Sequence, residues 1–165
     1  MKFLTAILFL SFFVFSACKS KDEVVEGRGE PSEKEITAQT LETLLTQEEI
    51  KEVYRDAGSI GVENSSAMWP TRTFRFRSDG EEMRVTLSAL LNEANAAAFS
   101  AAEEALGGSE IVRVAGFGDE AFYTGEPFHQ LTVRDEDHLY HVAVTKGDNG
   151  HREGAEALMK RVLAK

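Results

Sequence analysis

The chain holds one cysteine, one tryptophan and three prolines in 165 residues. A lone cysteine, Cys18, excludes an internal disulfide framework and any zinc cluster built from cysteines. Cations are scarce too: 18 Lys and Arg stand against 28 Asp and Glu, for a net charge of −10. So acidic a chain repels nucleic acid, whose binding rests on cations set against phosphates, and no nucleic-acid partner is expected. Apolar residues make up 42% of the sequence, an ordinary globular share that excludes wholesale disorder. The length suits one domain better than two.

Long apolar runs are absent, with one exception. Met1-Lys2 opens the chain with a short basic stretch, and Phe3 to Phe15 is apolar apart from Thr5, Ala6 and Ser11. At about thirteen residues this run is short for a bilayer, which needs about 20, and it suits the core of a signal peptide. Phe15-Ser16-Ala17-Cys18 follows and resembles a bacterial lipoprotein signal, with Phe15 standing where Leu is usual. The resemblance implies cleavage after residue 17 and acylation of the Cys18 thiol. Two or three acyl chains make a stable anchor where one is marginal, so the membrane is an expected partner. A secreted protein with a free cysteine and an uncleaved anchor are the alternatives. Losing Lys2 with the leader makes the mature chain one unit more negative still.

Residues 18–40 read as the lipidated cysteine and a flexible tether. Lys, Glu, Ser, Gly and Thr dominate, Pro31 interrupts, and too little apolar surface is present to offset the entropy of ordering. As a coil, about 22 residues span roughly 25 Å. Lys21-Asp22-Glu23 resembles the export signal of some surface lipoproteins. The expected location is the bacterial cell envelope, at the outer membrane, either facing the periplasm or displayed at the surface.

Residues 41–165 read as a single α+β domain. Thr46-Gln47-Glu48-Glu49 has the form of a capping box, followed by Ile50, Val53, Tyr54 and Ala57 at helical spacing and Gly58 as a stop. Thr71–Arg77 and Glu81–Leu90 flank Ser78-Asp79-Gly80, and Asp-Gly predicts a two-residue type I′ turn with Ser78 opposite Glu81. That register sets Phe76, Phe74 and Arg72 against Met83, Val85 and Leu87. The other face then carries Thr73, Arg75 and Arg77 against Thr86, Arg84 and Glu82. Asn92 caps an alanine-rich helix through Leu106, with Ala98, Ala102 and Ala105 as its close-packing stripe and Phe99 and Leu106 as its anchors. Ile111–Val114 reads as a strand, with Val112 and Val114 on one face. Phe128–Arg134 and Leu139–Lys146 form a second hairpin around Asp135-Glu136-Asp137-His138. A last amphipathic helix presents Ala155, Leu158, Met159, Val162 and Leu163. The expectation is an antiparallel sheet of two hairpins plus a strand, packed by about three helices.

No pattern selects a catalytic site, and neither an enzyme nor a cofactor is expected. Ser65-Ser66 lacks a Gly-x-Ser-x-Gly elbow. Gly116-Phe117-Gly118-Asp119 has no Lys-Ser/Thr after it and reads as a structural turn, with Asp119 bonding its own backbone. Asp135-Glu136-Asp137 lacks the Gly and distal Glu of a calcium loop. Of four histidines, His129 and His141 share a sheet face only if the second hairpin has a three-residue loop; a four-residue loop separates them. No metal site is assigned.

One feature asks for a partner. Arg75, Arg77 and Arg84 stand on one face of the first hairpin, with Arg72 and Arg113 as neighbours to consider. Like charges opposite each other destabilise a sheet, so an acidic chain that gathers arginine invites an anionic ligand or an envelope protein. The alternative is internal neutralisation by Glu81, Glu82, Glu103 or Glu104.

Val114-Ala115-Gly116-Phe117-Gly118-Asp119-Glu120-Ala121-Phe122, the strand ending at Arg134, the next strand and the C-terminal helix together resemble small bacterial envelope lipoproteins and sensor domains with a PsbP-like α/β sandwich. Leu44-Leu45-Thr46 with Glu48-Glu49-Ile50, and Ala67-Met68-Trp69, fall where that group places a helix and a Cys-x-Trp; Ala67 replaces the cysteine and removes its disulfide. The resemblance spans residues 41–165. It implies a non-enzymatic domain that offers a sheet face or cleft to a ligand or partner protein, and it transfers no catalytic residue. A structural accessory subunit is the competing reading. That reading expects an exposed apolar patch including Trp69 and Phe122.

Overall fold

The computed structural model describes residues 40–65, 70–90, 96–105, 111–124 and 130–165. The leader, Cys18 and the tether up to residue 39 lie outside the described residues, as do Ala67, Trp69, Asn92, Leu106, Phe128 and His129. After a helical turn at 40–44, the described elements are α1 (Gln47–Val53), β1 (Gly61–Ser65), β2 (Thr71–Ser78), β3 (Glu81–Leu90), α2 (Ala96–Ala105), β4 (Ile111–Val114), β5 (Glu120–Thr124), β6 (Gln130–Asp135), β7 (His138–Lys146), β8 (Asn149–Gly150) and α3 (Arg152–Val162).

The strands make one antiparallel sheet in the order β1-β2-β3-β7-β6-β5-β4, with β8 paired to the far end of β7. Two meanders, β1–β3 and β4–β7, therefore meet along β3 and β7. The class is α+β. The sheet is wider than two hairpins and a strand because β1, β5 and β8 belong to it. β1 is an edge strand with four exposed residues of five, so no apolar alternation marks it. β5 is buried on both faces and reads as a short apolar run without a period.

The first hairpin has the register its turn predicts. Ser78 pairs with Glu81, Phe76 with Met83, Phe74 with Val85 and Arg75 with Arg84. Asp79 and Gly80 both take positive φ, 53° and 81°, as a type I′ turn requires. The second hairpin is tighter than either loop considered: Asp135 pairs with His138, leaving Glu136-Asp137 as the turn. Arg134 still faces Leu139, the parity of the four-residue loop, so His141 lies on the face opposite Tyr140 and Val142.

One sheet face carries the main core. Phe74, Met83, Val85, Leu87, Leu131, Val133, Val142 and Val144 are buried there with Ile50 of α1 and Ala155, Leu158, Met159 and Val162 of α3. The capping box forms as predicted, with Thr46 Oγ1 accepting from the Glu49 amide at 3.2 Å and Glu49 Oε2 accepting from the Thr46 amide at 2.9 Å. The helix stops at Val53, before Gly58. The Asp56 carboxylate accepts from the Ser78 hydroxyl and the Asp79 amide, which draws the chain off the helix axis and onto the hairpin turn. Gly58 then donates to the Arg77 carbonyl at 3.2 Å instead of capping the helix. α3 passes so close to Tyr54 that a Cβ on Gly154 would collide with the Tyr54 hydroxyl.

The second face holds a smaller core, in which Phe99 of α2 meets Phe122 edge-on at 5.2 Å over Leu139, with Leu90, Ala102 and Ile111 around them. Ala105, expected in the close-packing stripe, is exposed.

Candidate functional site

The second face continues past α2 toward the first hairpin. Alternation along each strand places Thr73, Arg75 and Arg77 of β2 beside Arg84, Thr86 and Ser88 of β3, and these beside His141, Ala143 and Thr145 of β7. The structure thus brings Arg75, Arg77 and Arg84 together, and all three are exposed. Arg72 is not with them: it faces Leu87 on the core side, where its Nη1 donates to Glu42 Oε1 at 3.1 Å and to Asn64 Oδ1 at 3.1 Å. Arg113 stands four strands away on β4, bound by Glu103 at 2.7 Å.

Neutralisation of the three arginines is uneven. Glu63, on the unexpected strand β1, sits 3.7 Å from Arg75. Arg77 turns its guanidinium to the Gly80 carbonyl at 2.6 Å and pairs in register with Glu82. Arg84 has no ion-pair or hydrogen-bond partner among the described residues. Glu103, weighed above as a neutralising residue, serves Arg113 instead.

Four residues along β7 from the Arg84 level, about 13 Å away at strand rise, the same face becomes buried and polar. Thr132 and His141 pair across β6 and β7, with Thr132 Oγ1 2.9 Å and Gln130 Nε2 3.1 Å from His141 Nδ1. A neutral ring whose Nδ1 accepts from the Gln130 amide carries its proton on Nε2. Burial pushes the imidazole down to about 4, and it is neutral at physiological pH. Such a weakly basic imidazole, with Nδ1 already occupied, is a poor general base at neutral pH. In the sequence the face of His141 depends on the loop length, and its link to Thr132 and Gln130 is marked only by the parity of positions 130, 132 and 141 once the turn is known to be Glu136-Asp137.

Gly116, Gly118 and Asp119 form the turn between β4 and β5. Gly116 has φ 91° and Gly118 φ 47°, and a Cβ on Gly118 would run into the Arg134 carbonyl oxygen. Asp119 does not bond its own backbone. Its amide donates to the Arg134 carbonyl at 2.9 Å, and its carboxylate accepts from Arg134 Nη1 at 2.9 Å and the Glu136 amide at 3.1 Å. Arg134 Nε also binds Glu120 at 2.8 Å, so this turn is clamped to the next hairpin.

No group of three His, Cys, Asp or Glu side chains among the described residues is placed to hold a metal ion. Phe122 is fully buried, which removes it from the exposed patch expected of an accessory subunit; Val112, at 44% exposure, is the large apolar side chain left open among the described residues. Comparison with protein-family models, curated proteins and solved structures finds no match to this chain.

Proposed function

We propose that the chain is a lipid-anchored, non-catalytic binding module of the bacterial cell envelope, tethered through Cys18 and built on a PsbP-like α/β sandwich. Its recognition surface is the half of the second sheet face that α2 leaves open, centred on Arg84 and flanked by Arg75 and Arg77. The partner is anionic: an acidic surface of an envelope protein, or a ligand carrying equivalent charge. The observation that carries this reading is Arg84, which faces Arg75 directly and has no carboxylate among the described residues in a strongly acidic chain. Such a placement works against sheet stability, and an anionic partner would offset it. The helix on each sheet face supports the sandwich, and the leader ending Ser16-Ala17-Cys18 supports the anchor.

The test is cross-linking of the full-length chain in cells, followed by mass spectrometry of what copurifies. Arg84→Glu and Cys18→Ala run alongside the parent. A partner retained by the parent and lost in Arg84→Glu is the expected result. A partner captured equally by both removes the arginine face from the reading.

A further inference from the structure

On the opposite side of the sheet from the arginine face, α3 and the β4–β5 turn border an open cleft of about 440 Å³. That volume lies within the range of small-molecule sites. One wall is the turn, with Val114, Gly116 and the Phe117 ring. The other is a single line down α3, where Arg152, Glu156 and Lys160 recur every fourth residue and so share one helix face.

The charges on that line are not balanced. Glu156 accepts from Arg152 Nε at 3.0 Å, so the one carboxylate on the line is committed to the guanidinium and the three side chains together carry one net positive charge. The Lys160 ammonium lies 5.8 Å above the Phe117 ring and has no carboxylate within ion-pair distance among the described residues. Beneath the Arg152 end, the guanidinium stacks 4.5 Å from the Tyr123 ring, whose buried hydroxyl has Glu156 and Arg152 as its polar neighbours. The open turn adds space: a Cβ at Gly116 would meet nothing within 4 Å.

We infer that this cleft binds a small organic anion, a carboxylate or phosphate carried on a flat apolar body. The Arg152 Nη edge and the Lys160 ammonium hold the oxyanion, and the Phe117 ring and Val114 receive the apolar body. Planar guanidinium matches both oxyanions with paired hydrogen bonds. Glu156, already committed to Arg152, keeps the guanidinium in place and turns away polyanions.

Titration calorimetry on the full-length chain in detergent, with phenylacetate, phenyl phosphate, phenethylamine and inorganic phosphate, tests the assignment. Saturable binding of at least one aryl anion is expected, with no binding of phenethylamine and weaker binding of inorganic phosphate. The tighter aryl anion identifies the headgroup. Lys160→Met, at an exposed position, is expected to weaken binding at least about tenfold. Ala115→Trp, also exposed and on the cleft wall, blocks it without removing charge. Arg84→Glu, on the other face, leaves it unchanged. The inference is overturned if neither aryl anion saturates, if phenethylamine or inorganic phosphate binds as tightly, or if Lys160→Met keeps the parent affinity.

Discussion

Arg75 stands directly opposite Arg84 in the β2–β3 register, and among the described residues only Arg75 of the two has an ion-pair partner, Glu63 at 3.7 Å. Two guanidinium groups facing each other across a ladder repel, while Glu at position 84 would meet Arg75 as an opposite-charge pair. Arg84→Glu is therefore expected to stabilise the domain by a few tenths to about 1 kcal/mol. The same substitution is expected to abolish capture of an anionic partner. Urea midpoints read the first effect and cross-linking the second. A variant that loses both stability and capture would make Arg84 a structural residue, and the functional reading of the face would fall with it.

The buried imidazole of His141 makes stability depend on pH. Burial lowers it from 6.5 to about 4, so the unfolded chain takes up its proton first as pH falls. The contribution is fully present above the unfolded value and is lost progressively between about 6.5 and 4. Between pH 7 and pH 5 this one group is expected to remove about 2 kcal/mol of unfolding free energy. His141→Gln keeps a polar group beside Thr132 without titrating, and its denaturant midpoint should fall less over the same interval. Parallel pH dependence in both proteins would mean that His141 does not set it.

Gly118 and Arg134 set the geometry of the clamped turn. A methyl group at 118 meets the Arg134 carbonyl oxygen and lies 2.8 Å from Val133 Cγ1, and φ at 47° adds backbone strain. Gly118→Ala is expected to cost at least about 2 kcal/mol. At Gly116 the space around the Cβ is open, so Gly116→Ala bears only the left-handed backbone penalty of about 1 kcal/mol or slightly more. Thermal melts of the two variants should differ in that order.

Local signals were the legible ones. Thr46 with Glu49 announced a helix start, and Asp79-Gly80 announced a turn whose register then placed every residue of β2 against β3. That register alone sets Arg75, Arg77 and Arg84 on one face. What could not be read was long-range. The joining of β3 to β7 puts Thr86 beside Ala143 and Ser88 beside His141 across more than fifty residues of chain, and neither partner carries a local mark of it. Gly58 looked like a helix stop because nothing nearby in sequence reveals that Asp56 is drawn to the hairpin turn. The cleft joins positions 114–117 to 152–160 and was invisible for the same reason.

Phe99 is the large side chain that fastens α2 to the sheet among the described residues, through its 5.2 Å edge contact with Phe122. Helices of about ten residues are marginal alone, so α2 holds its form chiefly through this contact. Truncating a buried Phe to Ala usually costs about 3–5 kcal/mol. Here the main core lies on the other sheet face and does not include Phe99, so α2 has a cheaper way to respond: it can leave the sheet while β3, β6 and β7 stay paired. Phe99→Ala is therefore expected to raise hydrogen exchange in α2 far more than in β7, with a global loss smaller than full core truncation would bring. Exchange that rises equally in α2 and β7 would show instead that the two faces unfold as one unit.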